Sequence, residues 1–337
     1  MNYLKSYNSC ILCGSKKLIR NKTQYQKNNF YLDAVKADLK INNNYLKKIK
    51  LFRCDNCNIL QHNPWFNENI AFKIFNNIYG QHNKSWTNII NFVKKGSVPD
   101  HGDLFSYISK KLKIKNYAEF NGPFMGLFLN FFKNQNKINI KLYRKLFENI
   151  IKYINSRQVA GQPKKYQKRK YHESLIYKKK INEIKLNLKI KNKRNPIQYF
   201  FYDNSILSWN YNDNYKSVNS KVFLNEFTNV NIMNINNFEK KIKFDLFGIF
   251  LTLDHTLEPR KILDFALSNS KIVIVYCHVN KEVTKQHLFS LTNEFRQYLK
   301  KNNIYNIDIS NLVNKKFKSP ELYLMCSKNK KLLNNFK

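Results

Sequence analysis

Acidic residues are scarce in this sequence: 22 Asp and Glu stand against 60 Lys and Arg in 337 residues, a formal net charge of +38. So one-sided a balance points to anionic partners: RNA, DNA, a charged membrane surface or a phosphorylated metabolite. A codon bias competes with that explanation. Lys, Asn, Ile, Phe and Tyr crowd almost every block of ten, and all five have codons built only from A and T. Such a bias explains the lysines better than it explains the missing acids. A small anionic substrate is therefore favoured, with nucleic acid kept as the alternative. Also lacking is any apolar run of roughly 18 residues, the length a membrane span needs. The opening stretch MNYLKSYNSC has no apolar core of the secretory kind. A cytoplasmic protein without a membrane span is the expectation. What is abundant is core material, 43% hydrophobic and 15% aromatic, enough for two domains. Oligomeric state leaves no signal at this level.

The chain has six cysteines, and four of them fall into two C-x-x-C pairs, Cys10/Cys13 in NSCILCGSKK and Cys54/Cys57 in LFRCDNCNIL. A pair at that spacing puts two thiolates on one side of a tight turn, and two such turns complete a tetrahedral metal site. No thioredoxin-like unit surrounds either pair, so redox work is disfavoured. With four thiolates there is no open position, and the ion, zinc, would be structural. It would close a loop of about forty residues and stabilise a small module. Cys277 and Cys326 stand alone in apolar runs and are expected in the core.

Residues 1–62 read as this zinc module and 63–100 as a helical connector. GSVPDHGD then punctuates the chain. Helical spacing in DLFSYISKKLKI is followed by a short strand, a Gly- and Pro-bearing turn and a helix in NYAEFNGPFMGLFLNFF. Residues 133–195 change character: Lys133 to Arg194 holds 20 Lys or Arg and 3 Asp or Glu. Apolar residues there keep helical spacing, which predicts a basic helical insertion and not a disordered tail. From Pro196 onward, short β-branched or aromatic runs (IQYFFYD, VNIMNI, FDLFGIFLTL, KIVIVYCHV, ELYLMCS) alternate with helical stretches. That alternation predicts an α/β fold with an open, mostly parallel sheet. Ligands of such sheets bind beyond the carboxyl ends of the strands, where Asp203, Asn236, Asp254 and His255 would lie.

Three stretches, AEFNGPFMG, FDLFGIFLTLDHTLEP and QHLFSLTNEFRQYLKKNNI, in this order behind a four-cysteine module, resemble the class I S-adenosylmethionine-dependent methyltransferases. Within that class the resemblance is to the group that includes nucleotide-sugar C-methyltransferases. It implies a Rossmann-like seven-stranded sheet whose last strand is antiparallel, in a methyltransferase domain made of residues 101–132 and 196–329. The methyl donor would lie over the ends of the first two strands. The chain departs from the family at Asn121, where Gly is usual, and at Gly122-Pro123. Asn is the side chain that best tolerates the left-handed conformation such loops use. A loop too altered to bind the donor would leave a catalytically degenerate scaffold.

The resemblance assigns Glu119, Asn121, Gly122, Gly126, Asp203 and Asn236 to S-adenosylmethionine. Glu119 would anchor the amino-acid end and Asp203 the ribose hydroxyls; capping and turn-forming roles are the structural alternatives. Methyl transfer from a sulfonium needs an aligned acceptor and a base. An imidazole titrates near neutrality, so His255 is the base candidate, with Asp254 beside it and His287 as a second acid/base. Tyr79 and His82, in IYGQH, are candidate substrate contacts, whereas Trp65 and Trp86 are expected to pack. The substrate implied is a nucleotide-linked sugar methylated at carbon. An rRNA or tRNA methyltransferase is the alternative.

Overall fold

The computed structural model describes residues 3–22, 43–73, 101–120, 126–135, 140–157, 162–188, 197–201, 226, 230–237, 242–279, 287–313 and 321–336. The chain divides into two compact units. One comprises Met1–Tyr79, Tyr107–Ile114 and Glu239–Lys337, the other Gly80–Ser106 and Lys115–Phe238.

In chain order the strands of the N-terminal region are β1 (Leu4–Lys5), β2 (Leu18–Asn21), β3 (Lys50–Cys54), β4 (Leu60–Asn63) and β5 (Trp65–Phe66). Helices α1 (Asn43–Lys48) and α2 (Glu68–Lys73) accompany them, followed by α3 (Gly102–Lys111). Next come β6 (Tyr117–Phe120), α4 (Phe128–Gln135), α5 (Ile140–Arg157), α6 (Lys164–Asn187), β7 (Ile197–Phe201) and β8 (Val230–Asn234). The remainder is β9 (Phe244–Phe250), α7 (Pro259–Asn269), β10 (Ser270–His278), β11 (Phe289–Ser290), α8 (Phe295–Lys301), β12 (Tyr305–Asp308), α9 (Ser310–Val313), β13 (Glu321–Ser327) and α10 (Lys330–Asn334).

Seven strands follow the order β8-β7-β6-β9-β10-β13-β12. Pairs β6/β7, β7/β8 and β9/β10 are parallel, whereas β13 runs antiparallel to both β10 and β12. The first three strands step outward in one direction and the chain then reverses, the pattern of doubly wound sheets. The antiparallel strand is the last in sequence, as expected, and the whole is compatible with a Rossmann-like methyltransferase sheet. Strand β9 is buried along its entire length, which is why FDLFGIF is mostly apolar, with Asp245 its one charged residue, and shows no alternation. Cys277 and Cys326 lie fully buried on the neighbouring strands β10 and β13, in the core as their surroundings in the sequence suggest.

In the second unit, α4 packs through aromatic rings: Phe128 lies 5.6 Å from Tyr199 of β7, and Phe132 meets Tyr143 of α5 edge-on at 4.8 Å. Tyr143, Leu146, Phe147, Ile150 and Ile154 form the buried stripe of α5, at helical spacing. Helices α5 and α6 lie in the basic region between residues 133 and 195. Helix α6 differs from its neighbour, since only Ser174 and Ile181 are buried along it. Lys178 and Lys185 reach from it to the buried Glu226, at 2.6 and 3.7 Å.

The N-terminal sheet has the order β2-β3-β4-β11, all antiparallel neighbours. Its fourth strand is a finding the sequence did not offer. Phe289 and Ser290, inside the stretch QHLFSLTNEFRQYLKKNNI, pair with Gln61 and Leu60. Two residues carry no periodicity of their own, and their partner lies far upstream. Trp65 is fully buried, as expected; Trp86 lies outside the described residues. Among the described residues no helix is long and apolar enough to cross a membrane.

Candidate functional site

The two cysteine pairs sit on matching turns. Cys10 N donates to Ser15 O at 2.8 Å and Gly14 N to Cys10 O at 2.8 Å; Cys54 N donates to Ile59 O at 3.0 Å and Asn58 N to Cys54 O at 2.9 Å. Each turn is closed by a residue in the left-handed region, Gly14 at φ +75° and Asn58 at φ 60°. Asn58 can adopt it because its short amide side chain is tolerated there, and its Oδ1 accepts from Arg53 Nη2 at 2.9 Å. The turns bring Cys10 Sγ to 3.5 Å from Cys57 Sγ, and Cys13 Sγ to 3.5 Å from Cys54 Sγ. All four sulfurs lie within 4.8 Å of one another, and all four cysteines are free. Sulfurs bound tetrahedrally at about 2.3 Å from one ion stand about 3.8 Å apart, so this cluster fits a metal ion.

Gly14 has a second constraint, because a Cβ there would come within 3.2 Å of Arg260 Nη1. Gly14→Ala is expected to lose about 1–3 kcal/mol of stability through its φ alone and to release metal to a chelator faster. Asn58→Gly, which relaxes the matching position, should leave both nearly unchanged. Thermal unfolding and chelator-release rates check the pair.

A second cluster forms where β9 and β10 end. The chain leaves β9 through a 3-10 turn, Leu253–His255, and Asp254 in that turn is fully buried. Its Oδ2 lies 2.8 Å from Nδ1 of His278, the last residue of β10. The imidazole of His287 stacks on that of His278, with ring centres 4.6 Å apart and an interplanar angle of 23°. Three contacts tie this corner to the N-terminal sheet. His62 of β4 places Nδ1 2.6 Å from His287 O, His62 N donates to Leu288 O at 2.9 Å, and Leu288 N donates to Asp254 O at 3.1 Å. A buried carboxylate needs a compensating partner, which His278 supplies. The same negative charge, after burial, holds the Cys277 thiol well above its ordinary range.

Glu119, in β6, is fully buried in the other unit. Its Oε1 accepts from Gly126 N at 3.1 Å, its Oε2 from the Tyr117 hydroxyl, and that hydroxyl oxygen accepts from Leu127 N at 3.2 Å. The side chain thus braces the segment entering α4. Burial pushes its carboxyl up to about 8, outweighing the hydrogen bonds from Tyr117 and the Gly126 amide that favour the charge.

The structure brings polar side-chain atoms of Asp254, His278 and His287 within 4.8 Å of one another, and His278 is a residue the sequence reading passed over. The signal was present, since His278 ends the apolar run KIVIVYCH just as Asp254 follows another. Asn236 is exposed in a 3-10 turn directly after β8. His255 lies in the turn with Asp254, but its side chain is outside the described residues, as are Tyr79, His82, Asn121, Gly122 and Asp203 altogether.

No protein-family model matches the chain, and neither does any curated protein. Solved structures give faint similarity. One is the plantazolicin methyltransferase BpumL in complex with SAH, 11% identical, with 55% of this chain and 98% of that chain covered at a TM-score of 0.27. Another is Thermoplasma acidophilum 1320, 10% identical, with 53% and 94% covered at a TM-score of 0.20. Similarity at this level says nothing of function, which has to be sought in the chain's own strand order and side chains.

Proposed function

We propose that this chain is an S-adenosylmethionine-dependent methyltransferase with a structural zinc ion on Cys10, Cys13, Cys54 and Cys57. The observation that carries the proposal is the strand order, with its reversal after the third strand and its antiparallel seventh strand. Supporting it is the buried acid at the first strand, Glu119, whose carboxylate holds the backbone amide of Gly126. The donor would bind at the carboxyl ends of β6 and β7, near Glu119, Asn121, Gly122, Gly126 and Asp203, with Asn236 toward the adenine. The sulfonium makes the methyl group electrophilic, so what remains for the protein is to align the acceptor and take its proton. An imidazole near the buried Asp254 would do this, and the sequence offers His255 and His287 as candidates. The favoured acceptor is a nucleotide-linked sugar methylated at carbon, reached by Tyr79 and His82, with its diphosphate held by basic side chains.

One observation favours the nucleic-acid alternative. Helix α6 carries nine Lys or Arg against two Glu, and it exposes Tyr171, Leu175, Ile176 and Leu186 between them, each at least half open to solvent. Cations interleaved with apolar and aromatic groups suit a phosphate backbone and its bases. Titration calorimetry with S-adenosylmethionine is expected to show saturable binding, and the proposal fails if none appears at millimolar donor. Labelled methyl transfer to a panel of nucleotide sugars and of rRNA and tRNA separates the two acceptor classes. Only the RNA class predicts a steep loss of binding with salt.

A further inference from the structure

We infer that the imidazole this fold prepares as the proton acceptor is His278, held in one tautomer by Asp254. The inference rests on the methyltransferase reading for its chemistry, but its geometry stands alone. Asp254 is fully buried and presents Oδ2 to Nδ1 of His278 at 2.8 Å. A carboxylate can only accept, so Nδ1 carries the hydrogen and the lone pair of the neutral ring is on Nε2. Free histidine prefers the opposite arrangement, with the hydrogen on Nε2. The burial of the two partners differs in the useful sense: the Asp254 side chain is 0% exposed and that of His278 is 34% exposed. The orienting group is therefore shielded while the ring it orients can reach a ligand.

Two further features restrain that ring. His287, itself buried, stacks on it and limits its rotation. His287 is in turn held through its carbonyl by Nδ1 of the buried His62. Strands β4 and β11 of the metal-bearing sheet, the 3-10 turn after β9 and the end of β10 thus converge on one imidazole. Asp254 acts through His278 and is a positioning residue.

In the transfer step, the Nε2 lone pair takes the proton of the acceptor's C–H (or N–H) group, and the imidazolium formed is paired with the Asp254 carboxylate. The electron pair left on the acceptor forms the new bond to the methyl carbon. The methyl–sulfur bond breaks toward sulfur, which leaves as the neutral thioether of S-adenosylhomocysteine. No other reactant is needed.

The tautomer can be read without knowing the acceptor, by nitrogen-detected NMR of histidine-labelled, metal-loaded full-length protein. The expected spectrum shows neutral His278 protonated on Nδ1, reverting to Nε2–H in Asp254→Asn and unaffected in His255→Gln. Protonation on Nε2 in the unaltered protein, or no change in Asp254→Asn, overturns the inference. So does a second equivalent of zinc retained on His278 and His287, which would make the cluster a metal centre. Where the acceptor panel yields product, His278→Gln should slow transfer by about 100-fold or more, with donor affinity kept. Full activity in His278→Gln would equally overturn it. Absence of donor binding sinks the methyltransferase reading, whereas the tautomer still decides whether His278 is the prepared base.

Discussion

Stripping the metal, or replacing Cys54 by Ser, is expected to unfold the N-terminal sheet and reduce bound zinc from one equivalent to none. The size of the effect follows from what the cluster replaces. Cys13 and Cys54 are 41 residues apart in the chain, and β2, β3 and β4 are strands of only four or five residues, with Leu51 and Leu60 among the side chains they bury. A structural zinc site contributes an apparent 10–16 kcal/mol of binding free energy, about the whole stability of a small module. The thiols show why the apo cluster is poor on its own. Burial pushes Cys13 up to about 11, and the hydrogen bond to Cys10, with burial, drives Cys57 upward too. Cys10, which accepts that bond, is drawn down to about 6. Cys13 and Cys57 are thus held toward the protonated form, and binding an ion must displace their protons. Metal affinity should rise with pH and chelator release should accelerate as pH falls. Elemental analysis and hydrogen exchange across β2–β4 and β11 test this. A chelated protein that keeps its exchange protection would show that the sheet stands without its ion.

That experiment reaches beyond the module because β11 and His62 join it to the Asp254 corner. Exchange at Leu288, whose amide is bonded to Asp254 O, should increase along with that of β4. The connection was illegible in the sequence, whereas the cysteines themselves were plain. A C-x-x-C pair states its own chemistry locally, and a fully buried parallel strand such as Phe244–Phe250 announces itself by apolar residues that do not alternate with polar ones. That the sheet has seven strands and an antiparallel last one was expected only from the resemblance, because nothing within a strand names its neighbours. The two-residue β11 and the stacking of His287 on His278 depend on pairings far apart in the chain. His278 shows the limit from the other side. It stands at the end of an apolar run, but the adjacent acid and imidazole at Asp254 and His255 drew attention because they are neighbours in sequence. The carboxylate's observed partner comes from the next strand, 24 residues on.

Glu119→Gln is expected to abolish a pH dependence of stability that the unaltered protein shows between about pH 4.5 and 8. The carboxyl has an ordinary value of 4.5 and is pushed up to about 8 by burial in the folded chain. Across that window the unfolded chain has released the proton and the folded chain keeps it. The folded state binds more protons, so stability falls as pH rises and levels off above the folded value. The full displacement corresponds to at most about 5 kcal/mol. The amide of Gln is neutral throughout, can accept from Gly126 N and can donate to the Tyr117 oxygen, so it should match the unaltered protein at pH 5 and exceed it at pH 8. Glu119→Ala should be worse at every pH, because it leaves the Gly126 amide and the Tyr117 hydroxyl buried without their acceptor, at about 1–3 kcal/mol each. Urea midpoints at pH 5, 6.5 and 8 separate the three. Equal slopes in the unaltered protein and Glu119→Gln would place the titration elsewhere. The same proton bears on the donor. An ammonium brought close to Glu119 would favour the ionised carboxylate, so donor binding at pH 7 should release a proton and give heats that depend on buffer ionisation. In Glu119→Gln that dependence should vanish. If it persists, the donor's amino group is held by other residues and Glu119 only braces the loop into α4.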